Sequence, residues 1–364
     1  MLVFKNNYKY SKPLQIVFLC GSHFDKKGTK DKRKVLKKFI EQSNSNIRGI
    51  ILEENFVFKQ NSKRYLSYDD IFLKDLAQVE QLASLFADKI LIVHETLSTS
   101  AELGMFAADT SLIERICLLV PDKVAVEENK IGGFIQLAFL NKYSDRNNVR
   151  VIHYYPDITV HRLSENKSFY YTHFHENKIG DFLGKEINHF LQQKNDNTVA
   201  FSSNRFGKPS NDSIDIDYHI SSKKREVYVS VHTDILKVQL FSLLFIPEVR
   251  RVLREEKKIY EHVNFIKSMY KQVVRNTISE ITGQSLDDFT IKINLKITFC
   301  NLNQAIGYFI YMLQATKLII LERVSETDLS KRKFSFTMAL NQYKEVFEEF
   351  LNTQSPTVFG RLEK

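Results

Sequence analysis

Two glutamates carry the most chemical promise in this chain. Glu95 and Glu102 lie in the run Asp88-Lys89-Ile90-Leu91-Ile92-Val93-His94-Glu95-Thr96-Leu97-Ser98-Thr99-Ser100-Ala101-Glu102-Leu103-Gly104. An apolar strand there enters a short polar turn and then a helix, with Glu102 expected in the first helical turn. A carboxylate at the carboxyl end of a buried strand can act as nucleophile or base on a bound sugar. The same residue near a helix N-terminus also simply complements the macrodipole. Glu95 is a candidate for binding a ribose diol, or a solvated loop charge. His94 is a candidate acid or base, or a packing residue. Ser98 and Ser100 are hydroxyl binders or helix caps. Cys20-Gly21-Ser22 closes the first strand, where glycine lets backbone approach a ligand closely. Neither a G-x-G-x-x-G fingerprint nor a Walker A loop is present. That disfavours hydride transfer from a Rossmann-bound nicotinamide and leaves a crevice of hydroxyls and carboxylates, suited to a sugar.

These residues need a scaffold, and the first half of the chain supplies its pattern. Apolar runs at Leu14–Leu19, Gly49–Leu52, Ile90–Val93, Ile116–Val120 and Val149–Tyr154 read as strands. Helical spacing recurs at Lys30–Gln42, Asp70–Ala87, Ser100–Ala108, Lys130–Leu140 and Ile179–Gln192. Strands without period-two alternation, separated by helices, indicate a doubly wound parallel sheet with its ligand crevice near Gly21, Glu54, Glu95 and Asp122.

The second half reads differently. Residues 194–212 are rich in Asn, Ser, Gly and Lys and read as a connector. Alternation over Ile214–Ile220 and Val227–Val231 frames a hairpin with Lys223, Lys224 and Arg225 at its tip. Val249–Ile281 reads as one long helix, Ile291–Phe299 as a half-buried strand, and Leu302–Leu313 as a helix. Lys317–Val324 and Lys331–Met338 form a second hairpin, before a final helix at Tyr343–Leu351. The expected domains are 1–195, a connector and basic hairpin over 196–235, and a helical α+β region over 236–364.

Composition narrows the class. In 364 residues the formal net charge is +9, which suits an acidic partner, nucleic acid first, or lysine-rich solvated faces. No apolar run is long enough for a membrane span. Met1–Pro13 lacks a signal-peptide pattern, so a cytoplasmic protein is expected. Cys20, Cys117 and Cys300 are far apart and read as small core residues, with no disulfide or zinc spacing and no metal site.

The strand Ile16-Val17-Phe18-Leu19-Cys20-Gly21 and the block Ala87–Ala107 resemble the nucleoside 2-deoxyribosyltransferase-like toxins carried as effectors by bacterial retrons. That family shares an I-F-L-C-G strand and a D-x-[IL]-[IL]-x(3)-E-S-x-G-S-x-x-E-L-G-x-F block. The spacing from Asp88 to Gly104 fits without a gap, and Glu80 matches an acidic position in the preceding helix. The family's P-E-S-x-G-S turn is replaced by His94-Glu95-Thr96-Leu97-Ser98-Thr99-Ser100, without proline or glycine. The resemblance implies a flavodoxin-like doubly wound parallel sheet, followed by an α+β region with a winged-helix-like module. It implies cleavage of an N-glycosidic bond, with NAD or a related nucleotide as substrate and no cofactor. Glu102 would be the nucleophile and Glu95 the ribose ligand, with Cys20, Gly21, Ser22, Ser98 and Ser100 lining the substrate site and Glu80, Asp88 and His94 supporting it. The implied partners are the retron reverse transcriptase, multicopy single-stranded DNA with its RNA, and further copies of the chain, but no membrane. Lys331, Arg332 and Lys333 would form a basic wing, and Lys223, Lys224 and Arg225 a second phosphate contact. The expected activity is that of a defence toxin. Its rivals are a nucleotide-sensing, DNA-binding adaptor without turnover and a base-exchange deoxyribosyltransferase.

Overall fold

In a computed structural model, the described residues are 1–10, 14–21, 31–57, 66–67, 71, 73–109, 112–121, 150–154, 174–175, 178–192, 197–203, 215–296, 300–323 and 330–353. They group into two compact units. One is Leu14–Phe56 with Val79–Lys194, and the other is Met1–Pro13, Val57–Gln78 and Asn195–Lys364.

The first unit holds the parallel sheet. Its strands are β1 (Gln15–Gly21), β2 (Ile47–Ile50), β3 (Lys89–Val93), β4 (Ile116–Pro121) and β5 (Arg150–Tyr154). They pair in the order β2-β1-β3-β4-β5, every neighbour parallel. β3 and β4 are buried throughout and β1 almost throughout. Burial on both faces explains why these strands are apolar runs rather than alternating ones. Among the described residues the strands are accompanied by the helices α1 (Lys32–Ser43), α2 (Leu76–Phe86), α3 (Leu97–Ala107) and α4 (Asp181–Gln192). Leu36 and Ile40 of α1 and Leu183, Ile187 and Phe190 of α4 share one core with Val17, Leu19, Leu91 and Leu119 of the sheet. Truncating one of these to alanine costs about 2–5 kcal/mol by cavity formation. Strand order reverses between β1 and β3, so their carboxyl ends frame a crevice.

Several boundaries move from their expected places. α2 begins at Leu76, not Asp70, because Asp75 accepts a hydrogen bond from the Gln78 N–H at 2.8 Å and caps the helix there. Glu53 and Glu54 lie in a helical turn, Leu52–Asn55, that follows β2. α3 starts at Leu97, three residues earlier than expected. The expected helix Lys130–Leu140 lies outside the described residues.

The second unit is built on a mixed sheet of β6 (Asn197–Ser203), β7 (Asp215–Ser221), β8 (Glu226–Val231), β9 (Thr290–Leu295) and the N-terminal strand Tyr8–Tyr10. The order is β9-β8-β7-β6-(Tyr8–Tyr10). β6 falls inside the expected connector: Val199 and Phe201 are buried and its backbone pairs on both sides, so ladder bonds outweigh a polar composition. The expected helix Val249–Ile281 is two helices, α6 (Pro247–Leu253) and α7 (Ile259–Thr282), after α5 (Thr233–Leu243). Between them Lys257–Lys258 pairs as a short strand with β11 (Lys331–Phe336), whose other neighbour is β10 (Ile319–Arg323), antiparallel throughout. α8 (Leu302–Ala315) precedes this hairpin. Gly283 ends α7 in the left-handed region, φ 66°, where glycine carries no Cβ penalty. The final helix is only Lys344–Glu348, and Leu351–Thr353 pairs antiparallel with Leu2–Phe4. That pairing draws the N-terminus into the second unit, so the block expected as 1–195 is not continuous. The division expected at 235 also has no counterpart, because β8 pairs along its length with β9. Among the described residues, no helix is long and apolar enough to cross a membrane.

Candidate active site

Glu102 lies in the second turn of α3, beyond the first turn where it was expected, because the helix is capped at Thr96. Its carboxyl is half-buried, and Oε2 is shielded from solvent without a hydrogen-bond partner. Burial first, then the Glu80 and Glu53 carboxylates, push its pKa up to about 8, against an opposing effect of Arg33. Glu80, near the middle of α2, is raised to about 7 by burial and by Glu53. Carboxylates from three elements thus lie close enough to interact electrostatically, and the Cys20 thiol at the end of β1 feels all three. A carboxyl left unpaired in such a place favours its protonated form until a cation arrives.

Arg33 organises the floor of this cluster. It is 3% exposed and donates through Nε and Nη2 to Asp31 and through Nη1 to Glu53 at 2.8 Å. Asp31 also accepts from the Arg33 N–H at 2.9 Å as the N-cap of α1, so one side chain starts the helix and pairs the buried cation. Gly21 has φ 154°, and a Cβ there would come within 3.2 Å of Arg33 Cγ. Glycine is therefore required where β1 leaves the sheet. Cys20 is buried beneath, its thiol pKa raised by burial and then by Glu102 and Glu80. Cys20, Cys117 and Cys300 are all free and buried.

Glu95 is held by two groups that the sequence did not suggest. Tyr154, at the end of β5, donates its hydroxyl to Glu95 Oε1 at 2.7 Å, and Lys32 forms an ion pair with the same oxygen. The Lys32 ammonium also lies 5.4 Å from the centre of the Tyr154 ring. A carboxylate, an ammonium and an aromatic hydroxyl are thereby fixed beside the crevice. His94 is 1% exposed, with Nδ1 3.0 Å from Thr99 Oγ1. Thr99 gives its own proton to the Thr96 carbonyl at 2.6 Å, so His94 Nδ1 is the donor in that contact. His94 and Thr99 thus brace the turn between the two glutamates.

The other expected site residues divide. Ser98 is exposed, its hydroxyl 2.8 Å from that of Thr96. Ser100 is half-exposed on α3. Both lie inside the helix rather than at its cap. Ser22 lies outside the described residues. Asp88 is corrected: it is buried at the amino end of β3, the opposite end from the crevice. There its carboxylate accepts from the Ile16 N–H at 2.8 Å and its own N–H donates to the Ile16 carbonyl at 2.8 Å. Gly104 is not required by packing, since a Cβ there meets nothing within 4 Å. Among the described residues, no group of three or more His, Cys, Asp or Glu side chains is arranged to hold a metal ion.

The basic residues also separate. Lys223, Lys224 and Arg225 are exposed at the tip between β7 and β8, as expected, with Arg225 at φ 51°. Lys331 and Lys333 are half-exposed on β11, and Lys333 pairs with Glu322 at 3.1 Å. Arg332 points to the buried face instead, at 7% exposure, because strand alternation turns it inward with Phe334.

Sequence reasoning missed Asp31, Lys32, Arg33, Glu53 and Tyr154. Only Asp31 left a signal, an N-cap residue ahead of a helical pattern.

No curated protein matches this chain. The family described as STM3845 retron effector protein matches residues 29–322, from just before α1 to the end of β10. With so much of its length matched, the chain belongs to the STM3845 retron effector family and is a retron-associated defence effector.

Proposed function

We propose that this effector is a toxin that cleaves the N-glycosidic bond of NAD or a related nucleotide, with Glu102 as nucleophile. The observation that carries the reading is the unpartnered, shielded Glu102 carboxyl at the crevice of a β2-β1-β3-β4-β5 parallel sheet. That strand order supports a flavodoxin-like fold, in which ligands bind at the β1/β3 switch point.

The chemistry follows from charge. Glycosidic cleavage passes through an oxocarbenium-like transition state, and a carboxylate beside the anomeric carbon captures or stabilises that cation. Nicotinamide leaves a cationic nucleotide as a neutral molecule, so the step needs little acid help. The substrate's positive charge favours ionised Glu102, so binding itself releases the proton that burial holds there. Glu95, already fixed by Tyr154 and Lys32, binds the ribose hydroxyls. Glu80, with its pKa near 7, accepts a proton from the water that hydrolyses the ribosyl intermediate.

In the second unit, α8 followed by the β10–β11 hairpin supports a winged-helix-like module. Together with the exposed tip at Lys223, Lys224 and Arg225, it is the part that meets the retron's reverse transcriptase and multicopy single-stranded DNA. Those partners hold the toxin in check in the cytoplasm. Glu102→Gln tests the reading: toxicity in cells is lost while the protein remains folded and assembled with its partners. Full toxicity of that variant overturns it.

A further inference from the structure

Lys32 is the first residue of α1, and its ammonium forms an ion pair with Glu95 Oε1, the oxygen that also accepts from the Tyr154 hydroxyl. Burial, and then the Glu95 charge, hold the Tyr154 phenol well above its ordinary range, so this hydroxyl stays a donor. The pair is largely withdrawn from water, with side-chain exposures of 20% for Lys32 and 14% for Glu95. The ammonium also lies 5.4 Å from the centre of the Tyr154 ring and 5.8 Å from that of Phe174, two fully buried rings packed edge to face. Aromatic faces stabilise a cation without using its N–H groups. An ammonium has three donors, so the one on Oε1 leaves two. Glu95 Oε2 has no donor among the described residues and, unlike Glu102 Oε2, is not shielded from solvent. It offers two lone pairs. Two acceptor positions and two donors thus stand side by side on a pair whose charges cancel.

This pairing selects the chemistry of a ligand. A phosphate at Lys32 would meet the Glu95 carboxylate, and a cation at Glu95 would meet the ammonium. Neutral hydroxyls suit both, because each O–H donates to Oε2 while its lone pairs accept from Lys32. We propose that Lys32 and Glu95 together recognise the vicinal 2′,3′-diol of a ribose, which makes the site selective for ribonucleotides over 2′-deoxyribonucleotides. Lys32 is then a specificity-determining residue, and Tyr154 positions Glu95 for it. With hydrogen in place of the 2′-hydroxyl, a donor and an acceptor already drawn out of water lose their partner. A site built to hydrogen-bond a hydroxyl rejects the analogue that lacks it. The proposal stands against a base-exchange deoxyribosyltransferase. It rests on the reading of Glu95 as the ribose ligand, but not on cleavage of the glycosidic bond.

The test is calorimetric titration of the full-length Glu102→Gln chain with NAD and with its analogue lacking the 2′-hydroxyl of the nicotinamide ribose. Binding is compared rather than turnover because the 2′-hydroxyl withdraws electrons from the oxocarbenium centre, so the 2′-deoxy glycoside breaks faster without any enzyme. NAD binds at least ~10-fold more tightly than the analogue, the value of a hydrogen bond to a charged group. Adding Lys32→Met, which keeps an apolar stem of similar length, brings the ratio below ~3-fold. Adding Glu95→Gln instead keeps an oxygen for Tyr154 and Lys32 but places an amide donor where Oε2 stood. It lowers the ratio likewise, which preserves the test should Lys32→Met fold poorly. A ratio below ~3-fold before either addition, a ratio unchanged by both, or no binding of either dinucleotide overturns the proposal. Nicotinamide release by the wild-type chain is read in parallel. Ribose-selective binding without release upholds the proposal and removes the glycosidase reading, and release without selective binding does the reverse.

Discussion

The Tyr154 hydroxyl donates to Glu95 Oε1 at 2.7 Å, linking the end of β5 to the residue pair that follows β3, with β4 lying between them in the sheet. The bond reaches across a strand to fix one carboxylate, while Lys32 holds the same oxygen from α1. Glu95 is therefore preorganised before any ligand arrives, and Glu102 is not, since its Oε2 has no partner.

Tyr154→Phe removes this bond and little else. Glu95 keeps Lys32 but loses its fixed orientation, so KM for the nucleotide substrate rises roughly 3–10-fold, the value of a typical net hydrogen bond of about 0.5–1.5 kcal/mol. The turnover number changes less, because in the proposed mechanism Glu95 binds rather than reacts. Steady-state kinetics of nicotinamide release read both, and an unchanged KM removes Glu95 from ribose binding.

The pH dependence of kcat/KM reports the free protein's Glu102. Its pKa near 8 is raised, so the nucleophilic form accumulates as pH rises, and in the proposed mechanism kcat/KM climbs with its midpoint near 8 and a plateau about one unit higher. Glu80→Gln removes a like charge beside it and moves the midpoint down. A profile flat from pH 6 to 9 contradicts this assignment.

Stability carries the same signature with a definite sign. Glu102 has a folded pKa near 8, above its ordinary value of 4.5, so the folded state holds a proton that the unfolded state gives up across that interval. Its contribution is intact below the lower value and is lost as pH rises through the upper one. Glu102→Gln has no such proton to lose. The variant melts close to wild type at pH 5 and a few degrees higher at pH 8.5, taking roughly 2–4 °C per kcal/mol for a unit of this size. Thermal melts at the two pH values check this, and an equal difference at both contradicts it.

Asp88→Asn separates structure from chemistry. Asp88 anchors Ile16 at the amino end of the sheet. Its loss lowers stability by about 1–3 kcal/mol. The turnover number of the folded fraction stays that of wild type. A drop in turnover beyond the loss of folded protein places Asp88 in the reaction after all.

The parallel sheet was legible because β1, β3 and β4 are buried on both faces, and a doubly buried strand is an unbroken apolar run. Glu95 and Glu102 were legible because both follow directly from such a run. Asp31, Arg33, Glu53 and Tyr154 were not. They reach the crevice from α1, from the turn after β2 and from the end of β5, and only tertiary folding brings those places together. The asparagine-rich surroundings of β6 concealed a strand whose stability comes from its backbone partners. The apparent helix Val249–Ile281 concealed a break, because the apolar spacing of α6 and α7 continues in phase past Arg254. Arg332 was misplaced by reading a basic run as one surface, where strand alternation turns every second residue inward.

The most direct measurement incubates the purified full-length protein with NAD and quantifies free nicotinamide for wild type and Glu102→Gln. The account predicts steady release by wild type and a loss of about 10³-fold in the folded variant. Equal release by the two proteins, or none by wild type, contradicts it.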